Sequence, residues 1–359
     1  MSRALLFCGD PGIPLAAPSG AASHLRGTAR ALRQLGHEVH IATPRRVDHR
    51  GGVACDDLSG HHHRPPMRRW PRWFRRHGER WQARTLLRDA IARGGEPDWI
   101  WERHALFVDA GRRWSSKHRR PRIVEFNAPL MLERARYAGA RHVRWGSRLE
   151  ARSLIAAERV VAVSSWLAQY AVDLGCRPER VRYVPNGTEL NTSEERQATR
   201  AQLNWDGLLL GFVGGLRPWH GTAILPQILD ALPDARLLVL GSGSATVSHP
   251  RAVHLSWVGR RELAAYIAAM DVALAPMAPD AAPWFGPLKV ADYRSQGTPI
   301  VASHYGDLSD RIGPQGEVVT GHGLDAWIAA IQRQAGRRYT PSIRSWLEVT
   351  REALDGFMC

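Results

Sequence analysis

Short apolar runs alternate with amphipathic helical stretches near the start of this sequence, and the alternation begins again after residue 187. Arg3–Gly9 is an apolar run ending in the turn-rich DPGIPLAAPSG, the pattern of a buried strand and its loop. From Gly20 onward, Ala22, Leu25, Ala29, Leu32 and Leu35 recur at steps of three and four, giving a helix one apolar face. Gly36 stops that helix, and Glu38–Thr43 reads as the next strand. A strand, a helix and a strand in this order form a parallel crossover, the unit of a doubly wound α/β sheet.

Trp99–Arg103, Arg122–Phe126 and Arg159–Val163 are further strands by the same criterion, with a helix over Trp145–Glu158 leading into the last. Val181–Pro185 closes the first half, and Asn186-Gly187 is a turn signal at a domain boundary. Residues 48–84 fit less well: HHHRPPMRRWPRWFRRHGERWQAR is basic, aromatic and broken by prolines, a surface excursion followed by a helix. The second half alternates anew. Strands are expected at Leu208–Val213, Ala235–Leu240, Val253–Leu255, Val272–Ala275 and Pro299–Ala302. Helices are expected at Thr222–Leu232, at Glu262–Ala269 and from about Val290, with a final amphipathic helix over Ile343–Phe357. This predicts domains at 1–187 and 188–341, with a terminal helix over 342–359. Ligands of open α/β sheets bind outside the carboxyl ends of the strands, so both halves should present loops to a cleft between them.

The length of 359 residues suits two domains, and the 44% hydrophobic and 23% charged residues are ordinary for a globular enzyme. No apolar run reaches the roughly 20 residues of a membrane-spanning helix, and the N-terminus reads as a strand rather than a secretion signal. Cys8, Cys55, Cys176 and Cys359 are far apart and form no CxxC pair, which suits free thiols in a reducing cytoplasm. Residues 1–187 carry 34 Arg and Lys against 17 acids, while the remainder carries 15 against 17. A basic half tends to meet a polyanion; a GC-rich coding bias is the blander source, since 47 cations are Arg and only Lys117 and Lys289 are Lys. Where Arg is the default cation, a Lys in a candidate site invites a chemical reason.

Three segments carry chemistry. In FGPLKVADY (Phe285–Tyr293), Gly286 and Pro287 precede Leu288 and Lys289 at a helix start, with Asp292 one turn in. Free backbone amides and the Lys289 ammonium form an anion site there, and Asp292 is placed to accept both hydroxyls of a ribose. Read more plainly, Lys289 and Asp292 are a solvated pair at (i, i+3). In VGGLRPWHG (Val213–Gly221), glycines including Gly214 permit close backbone approach, and Arg217 and His220 are two phosphate ligands on one loop, or an ordinary β–α loop carrying a common Arg. Gly20, Ala21 and their neighbours open a helix after a strand, close to a phosphate or simply tightly packed. They match neither GxGxxG nor GxxxxGK[ST].

These segments, in this order, resemble the family 4 retaining glycosyltransferases of GT-B fold. DPGIPLAAPSGAASHLRGTARALRQLGHEVHIAT is similar to the family's opening strand, glycine loop and first helix. WIWERHALF, IVEFNAPLMLERARY, VVAVSSWL, VRYVPNG, LGFVGGLRPWHG, ARLLVLGSG and VGRRELAAYIAAMDVALAP follow in family order, and FGPLKVADYRSQGTPIVAS is similar to the donor-binding signature. The resemblance implies two facing Rossmann-like domains with a C-terminal helix crossing back to the first. It implies that Gly20 and Ala21 face the donor phosphates from one side and Gly214, Arg217 and His220 from the other. Pro287, Leu288 and Lys289 would hold the diphosphate, Asp292 the ribose, and Gly259 and Arg260 would lie beside the base. Lys289, Arg217 and Asn127 are the residues expected to serve catalysis, and Arg103, Asn127 and Glu133 to meet the acceptor. The chain departs from the family pattern at several points. Trp284 and Asp292 stand where the signature has two glutamates, Gly215 and His220 replace an Arg and a Lys, and Asn127 stands where many relatives have His.

The resemblance implies sugar transfer from a UDP-, GDP- or dTDP-sugar with retention, by front-face attack in which the leaving phosphate takes the acceptor's proton. The absence of a glycosidase-like Asp/Glu pair is consistent with this. No metal is expected, because no DxD-like cluster stands at a strand end. The acceptor expected is a sugar, an aminocyclitol, a polysaccharide or a lipid. A GT-B sugar-nucleotide epimerase or hydrolase is the alternative enzyme, and a polyanion-binding protein the alternative non-enzyme. Nucleic acid is disfavoured by the lack of RNP-like segments, zinc fingers and lysine-rich tails. The stretch Arg68–Trp81, with Arg68, Arg72 and Arg76, is either a peripheral contact with an anionic membrane or an exposed basic loop.

Overall fold

The computed structural model describes residues 2–17, 19–43, 58, 62–63, 75–139, 143–243, 247–321 and 323–357, with backbone alone at 62, 63 and 75–77. By its contacts the chain divides into two units: one of residues 1–185, 284–286 and 346–359, the other of 186–283 and 287–345.

The first unit holds strands β1 (Arg3–Cys8), β2 (Glu38–Ala42), β3 (His62–His63), β4 (Trp99–Arg103), β5 (Arg122–Phe126), β6 (Arg159–Ala162) and β7 (Val181–Tyr183). They form one sheet in the order β3-β2-β1-β4-β5-β6-β7, and every pair is parallel. Strands β1, β2, β4, β5 and β6 are buried along nearly their whole length because a parallel sheet is covered on both faces. On one face, Leu5, Phe7, Ile100 and Val108 pack with Leu86 and Leu87 of the helix Arg75–Gly94. The first helix, Gly20–Gln34, is capped by Ser19, whose hydroxyl accepts the Ala22 amide at 3.3 Å.

The terminal helix is Trp346–Leu354, shorter than the expected Ile343–Phe357, and it belongs to the first unit. Gly27 makes its docking feasible: a Cβ at that position would stand 2.3 Å from the Trp346 ring. Arg159 holds the helix's far end, donating to the Ala353 carbonyl at 3.0 Å and lying over the Phe357 ring.

The second unit holds β8 (Leu208–Val213), β9 (Ala235–Leu240), β10 (Ala252–Leu255), β11 (Val272–Ala275), β12 (Ile300–Ser303) and β13 (Gly316–Val319). The order is β10-β9-β8-β11-β12-β13, again all parallel. Its core joins Leu210, Phe212, Leu237, Val239, Leu274 and Val301 to Leu225, Ile228, Leu229, Trp327 and Ile331 of the flanking helices. Each such fully buried side chain contributes about 1.5–3 kcal/mol. Both sheets reverse direction beside their first strand, so the loops after β1 and β4, and after β8 and β11, lie where doubly wound folds bind ligands. The helices Ala110–His118, Leu130–Ala138, Ser165–Asp173, Arg196–Leu203 and Leu324–Gln334, and strand β13, add to the elements expected from sequence.

No helix among the described residues is long and apolar enough to cross a membrane. Cys8 and Cys176 are buried free thiols; Cys55 and Cys359 lie outside the described residues.

Candidate functional site

In the second unit, β8 runs into a loop laid edge-on along the end of β9. The Gly214 amide donates to Leu240 at 2.9 Å, and the Leu216 amide to Ser242 at 3.2 Å. This packing needs glycine. Gly214 and Gly241 both have φ of 131°, and a Cβ on Gly241 would lie 2.4 Å from the Gly214 carbonyl oxygen. Beneath this loop lies Lys289, the first residue of the helix Lys289–Ser295.

Lys289 is not the solvated surface cation that its sequence alone allowed. It is 7% exposed, and its Nζ lies 3.8 Å from the centre of the Phe212 ring. A Cβ at Gly214 would stand 3.5 Å from that Nζ, an ordinary contact, so it is the φ of 131° rather than lack of space that calls for glycine there. Nζ has no hydrogen-bond partner among the described residues, and burial pushes its pKa down to about 7. A cation–π contact supplies only part of what an ammonium loses on leaving water.

His220 differs from its expected role as a part-time cation. Its Nδ1 bonds the Gly215 carbonyl, and burial, with Lys289 nearby, lowers its pKa to about 3. It is therefore a neutral imidazole whose Nδ1–H is fixed by the loop. Arg217 is exposed on the same loop, its guanidinium without hydrogen bond or ion pair among the described residues.

Asp292, half-buried, accepts the Thr188 hydroxyl at 2.6 Å, and burial raises its carboxyl to about 6. The adjacent Glu189 takes Arg260 at 3.3 Å, so the segment Thr188–Glu189 links the expected ribose and base residues. Gly259 donates its amide to Glu262 at the start of the helix Arg260–Ala269. Pro287 and Leu288 are half-buried just before Lys289.

Tyr293, which sequence reasoning passed over, is fully buried. Its hydroxyl accepts the Val213 amide at 2.8 Å and donates to Leu274 at 3.2 Å, pinning the helix to the ends of β8 and β11. Its place one residue after Asp292, on the inward face of a helix begun by a buried Lys, was the available signal.

In the first unit the centre is Glu125, near the carboxyl end of β5 and 0% exposed. Arg103 donates to one oxygen at 2.5 Å and Asn127 to the same oxygen at 2.6 Å. Trp101 donates to the other at 3.1 Å, and His24 approaches it at 3.2 Å. Burial by itself would raise the Glu125 carboxyl; Arg103 and the other donors hold it below its usual range. Burial lowers His24 to about 4, so a neutral ring donates its Nε2–H while stacking 4.3 Å from Trp346. Sequence reading quoted the segment around Glu125 without singling that residue out; two donors expected at the acceptor converge on it.

Glu133 lies elsewhere. It lines a cavity of about 200 Å³ with Asp10, Pro11, Glu79 and Arg134. Gly20 is exposed and Ala21 half-buried at the first turn of their helix, where backbone amides have no intrahelical acceptor. Trp284 groups with the first unit: buried, its carbonyl accepts Ser164 at 3.1 Å, its ring lies 5.4 Å from Trp166, and its indole N–H has no partner among the described residues. Of the basic stretch Arg68–Trp81, positions 68–74 lie outside the described residues, as does the side chain of Arg76; Trp81 is 56% exposed.

Residues 18–192 match Glycosyltransferase Family 4, and residues 207–335 match Glycosyl transferases group 1. The chain is 28% identical over 302 residues to a D-inositol 3-phosphate glycosyltransferase of Acidothermus cellulolyticus, covering 74% of this chain and 64% of that protein. It thus spans somewhat less than two thirds of that relative's length. Among solved structures it is similar to sucrose-phosphate synthase from Thermosynechococcus elongatus, with a TM-score of 0.69 and 18% identity over 99% of this chain and 94% of that one. It is also similar to Anabaena HepE in complex with UDP and glucose, with a TM-score of 0.67 and 16% identity over 99% and 95%. At these identities the structural likeness is one of fold.

Proposed function

We propose, from the matches to Glycosyltransferase Family 4 and Glycosyl transferases group 1 and from the GT-B fold, that the chain moves a sugar from a nucleotide-sugar donor to an acceptor hydroxyl with retention of anomeric configuration. The observation that carries the reading is Lys289: a buried ammonium with no anion beside it among the described residues is a binding site for an anion brought from outside. The pyrophosphate of a nucleoside diphosphate suits it, since it gains negative charge as the sugar leaves. HepE, a structural neighbour, is solved with UDP and glucose, which favours a UDP-sugar.

In this reading Lys289 and Arg217 hold the diphosphate, with the backbone amides that open the helix at Lys289. His220, neutral, offers no charge; its fixed ring shapes the loop and leaves Nε2 free to accept a hydroxyl of donor or acceptor. Asp292, ionised at neutral pH, accepts from the ribose while Thr188 fixes its carboxylate, and Gly259 and Arg260 flank the base. The acceptor side rests on Asn127 and Arg103, positioned by Glu125, and on Glu133. Asn127 spends an amide N–H on Glu125, so its carbonyl remains to accept a hydrogen bond from the acceptor's hydroxyl and orient the attack, while the proton itself passes to the leaving phosphate. Trp284 replaces a carboxylate with an indole N–H and an apolar face at the sugar-recognition position.

The test is a thermal-shift screen against UDP, GDP, dTDP and ADP. Ligand binding raises apparent stability by mass action, about 2.7 kcal/mol at a hundred times Kd. At least one diphosphate should raise the unfolding temperature of the native chain and leave Lys289→Met unmoved. A flat response across the set overturns the reading. Donor incubated without acceptor should stay intact; release of epimer or free sugar would assign epimerase or hydrolase chemistry instead.

A further inference from the structure

The cluster around Glu125 is completed from the far end of the chain. His24, on the first helix and 5% exposed, bonds Glu125 through Nε2 at 3.2 Å. That bond fixes one atom of the imidazole and leaves the ring free to swivel about it. The swivel is stopped from the other side. Trp346, the first residue of the terminal helix, lies against the imidazole with ring centres 4.3 Å apart and planes at 35°. One contact sets a point and the other sets the plane, so together they give the ring a single orientation.

Two details show that the indole is there for its face. Trp346 is 5% exposed, yet its N–H has no hydrogen-bond partner among the described residues, although a buried indole N–H ordinarily finds one. The first helix is also cut away to admit the ring. Gly27 stands one turn after His24, where a Cβ would lie 2.3 Å from the indole. Glycine weakens a helix relative to alanine, and the loss is accepted here to seat a side chain from the other end of the sequence.

What the imidazole holds is the arrangement of the remaining donors. Trp101 and His24 share Oε2 of Glu125, which leaves Oε1 to Arg103 at 2.5 Å and Asn127 at 2.6 Å. The charged groups facing His24 are Glu125 from β5 and Arg103 from β4; the terminal helix meets it with the uncharged indole. Because burial keeps the ring neutral, Arg103 is the one cation on that carboxylate. A ring turned out to water would strip a donor from Oε2, and a protonated ring would set a second cation beside Arg103. Either change re-aims Asn127.

We propose that Trp346 is a positioning residue for the acceptor side: its ring holds His24 in the orientation that keeps Glu125 turned to Asn127 and Arg103. The terminal helix thereby does more than cover the first unit, since it carries the side chain through which these residues are set. That Asn127 meets an acceptor rests on the transferase reading; that Trp346 sets Asn127 does not.

The experiment is nuclear magnetic resonance on the full chain, following the His24 ring and the Asn127 side-chain amide, each assigned by its loss in His24→Gln and Asn127→Asp. In the native chain His24 should show no inflection between about pH 5 and 8, with the Asn127 amide constant. Trp346→Leu keeps an apolar side chain and removes the aromatic face. There His24 should titrate between about pH 5 and 7 as its ring reaches water, and the Asn127 amide should shift with it. Trp346→Phe gives up only an idle N–H, so both signals should return to their native behaviour. Gly27→Ala displaces the indole with Trp346 still present and favours the helix, so it should reproduce the leucine result by a separate route. Dispersion of the other amide signals reports that each variant is folded. Signals unmoved in both Trp346→Leu and Gly27→Ala overturn the proposal. Failure of phenylalanine to restore them overturns it too, marking Trp346 as a packing residue whose size alone counts. Titration of native His24 near its ordinary value overturns it with no variant needed. Loss of the nucleotide thermal-shift response in the native chain would sink the transferase reading instead, and the two failures are read in separate assays.

Discussion

Each unit of this protein buries a charge at the carboxyl end of its sheet, and the two are treated in opposite ways. Glu125 has four donors gathered from β4, its own strand's end, and the first helix. Lys289 has an aromatic face and no anion. A buried charge that the fold saturates serves the fold first, since removing a partner strands the rest. A buried charge left alone is a cost retained for something the protein meets later. The contrast separates groups that build a site from groups that await a ligand, and each experiment below tests one side of it.

The largest effect should be on stability at Glu125. Glu125→Ala leaves Arg103 buried without its anion, and about 3–5 kcal/mol should be lost in denaturant unfolding of the native chain. A loss under about 1 kcal/mol would mean the network is not a foundation of the unit. At Lys289 the pattern should invert. Lys289→Met should cost about 10²–10³-fold in kcat while stability holds or rises, because an unpaired buried charge has gone. A parallel fall in stability would place Lys289 with Glu125 and erase the distinction.

The third measurement uses protons. Ligand-free Lys289 titrates near 7 and an unfolded lysine near 10.5, so between those values the unfolded chain binds more protons and stability rises with pH. A bound diphosphate restores the ammonium. At pH 8, calorimetry in buffers of different ionisation enthalpy should therefore show uptake approaching one proton, and affinity should decline as pH climbs above 7. Zero uptake would mean the phosphate sits elsewhere. Asp292→Asn should cost about tenfold in nucleotide affinity, roughly 1.4 kcal/mol, and remove any preference for the ribose over the 2′-deoxyribose form. Smallest of all, Arg260→Ala breaks a half-exposed pair with Glu189 and should change stability by less than about 1 kcal/mol.

Much of this was legible along the chain, for a local reason. Buried parallel strands read as apolar runs whatever surrounds them, so the strands at Trp99–Arg103, Arg122–Phe126, Leu208–Val213 and Ala235–Leu240 carry the bounds read from sequence. Lys289 drew notice because an Arg-rich chain spends only two lysines. Less legible were the helices Arg196–Leu203 and Leu130–Ala138, whose exposed, charge-rich surfaces show little apolar face.

What the sequence by itself determined was the alternation, the double start, and the identity of the groups at the helix opening by Lys289 and Asp292. These depend on periodicity, on glycine placement and on residue chemistry within a dozen positions. Only the tertiary structure decided which charges are satisfied. That Arg103 and His24 meet on Glu125, that Lys289 lies over Phe212 without a hydrogen-bond partner among the described residues, and that His220 is neutral depend on burial and on partners far apart in the chain. Desolvation is a property of the packed surroundings, and no single stretch of residues contains it.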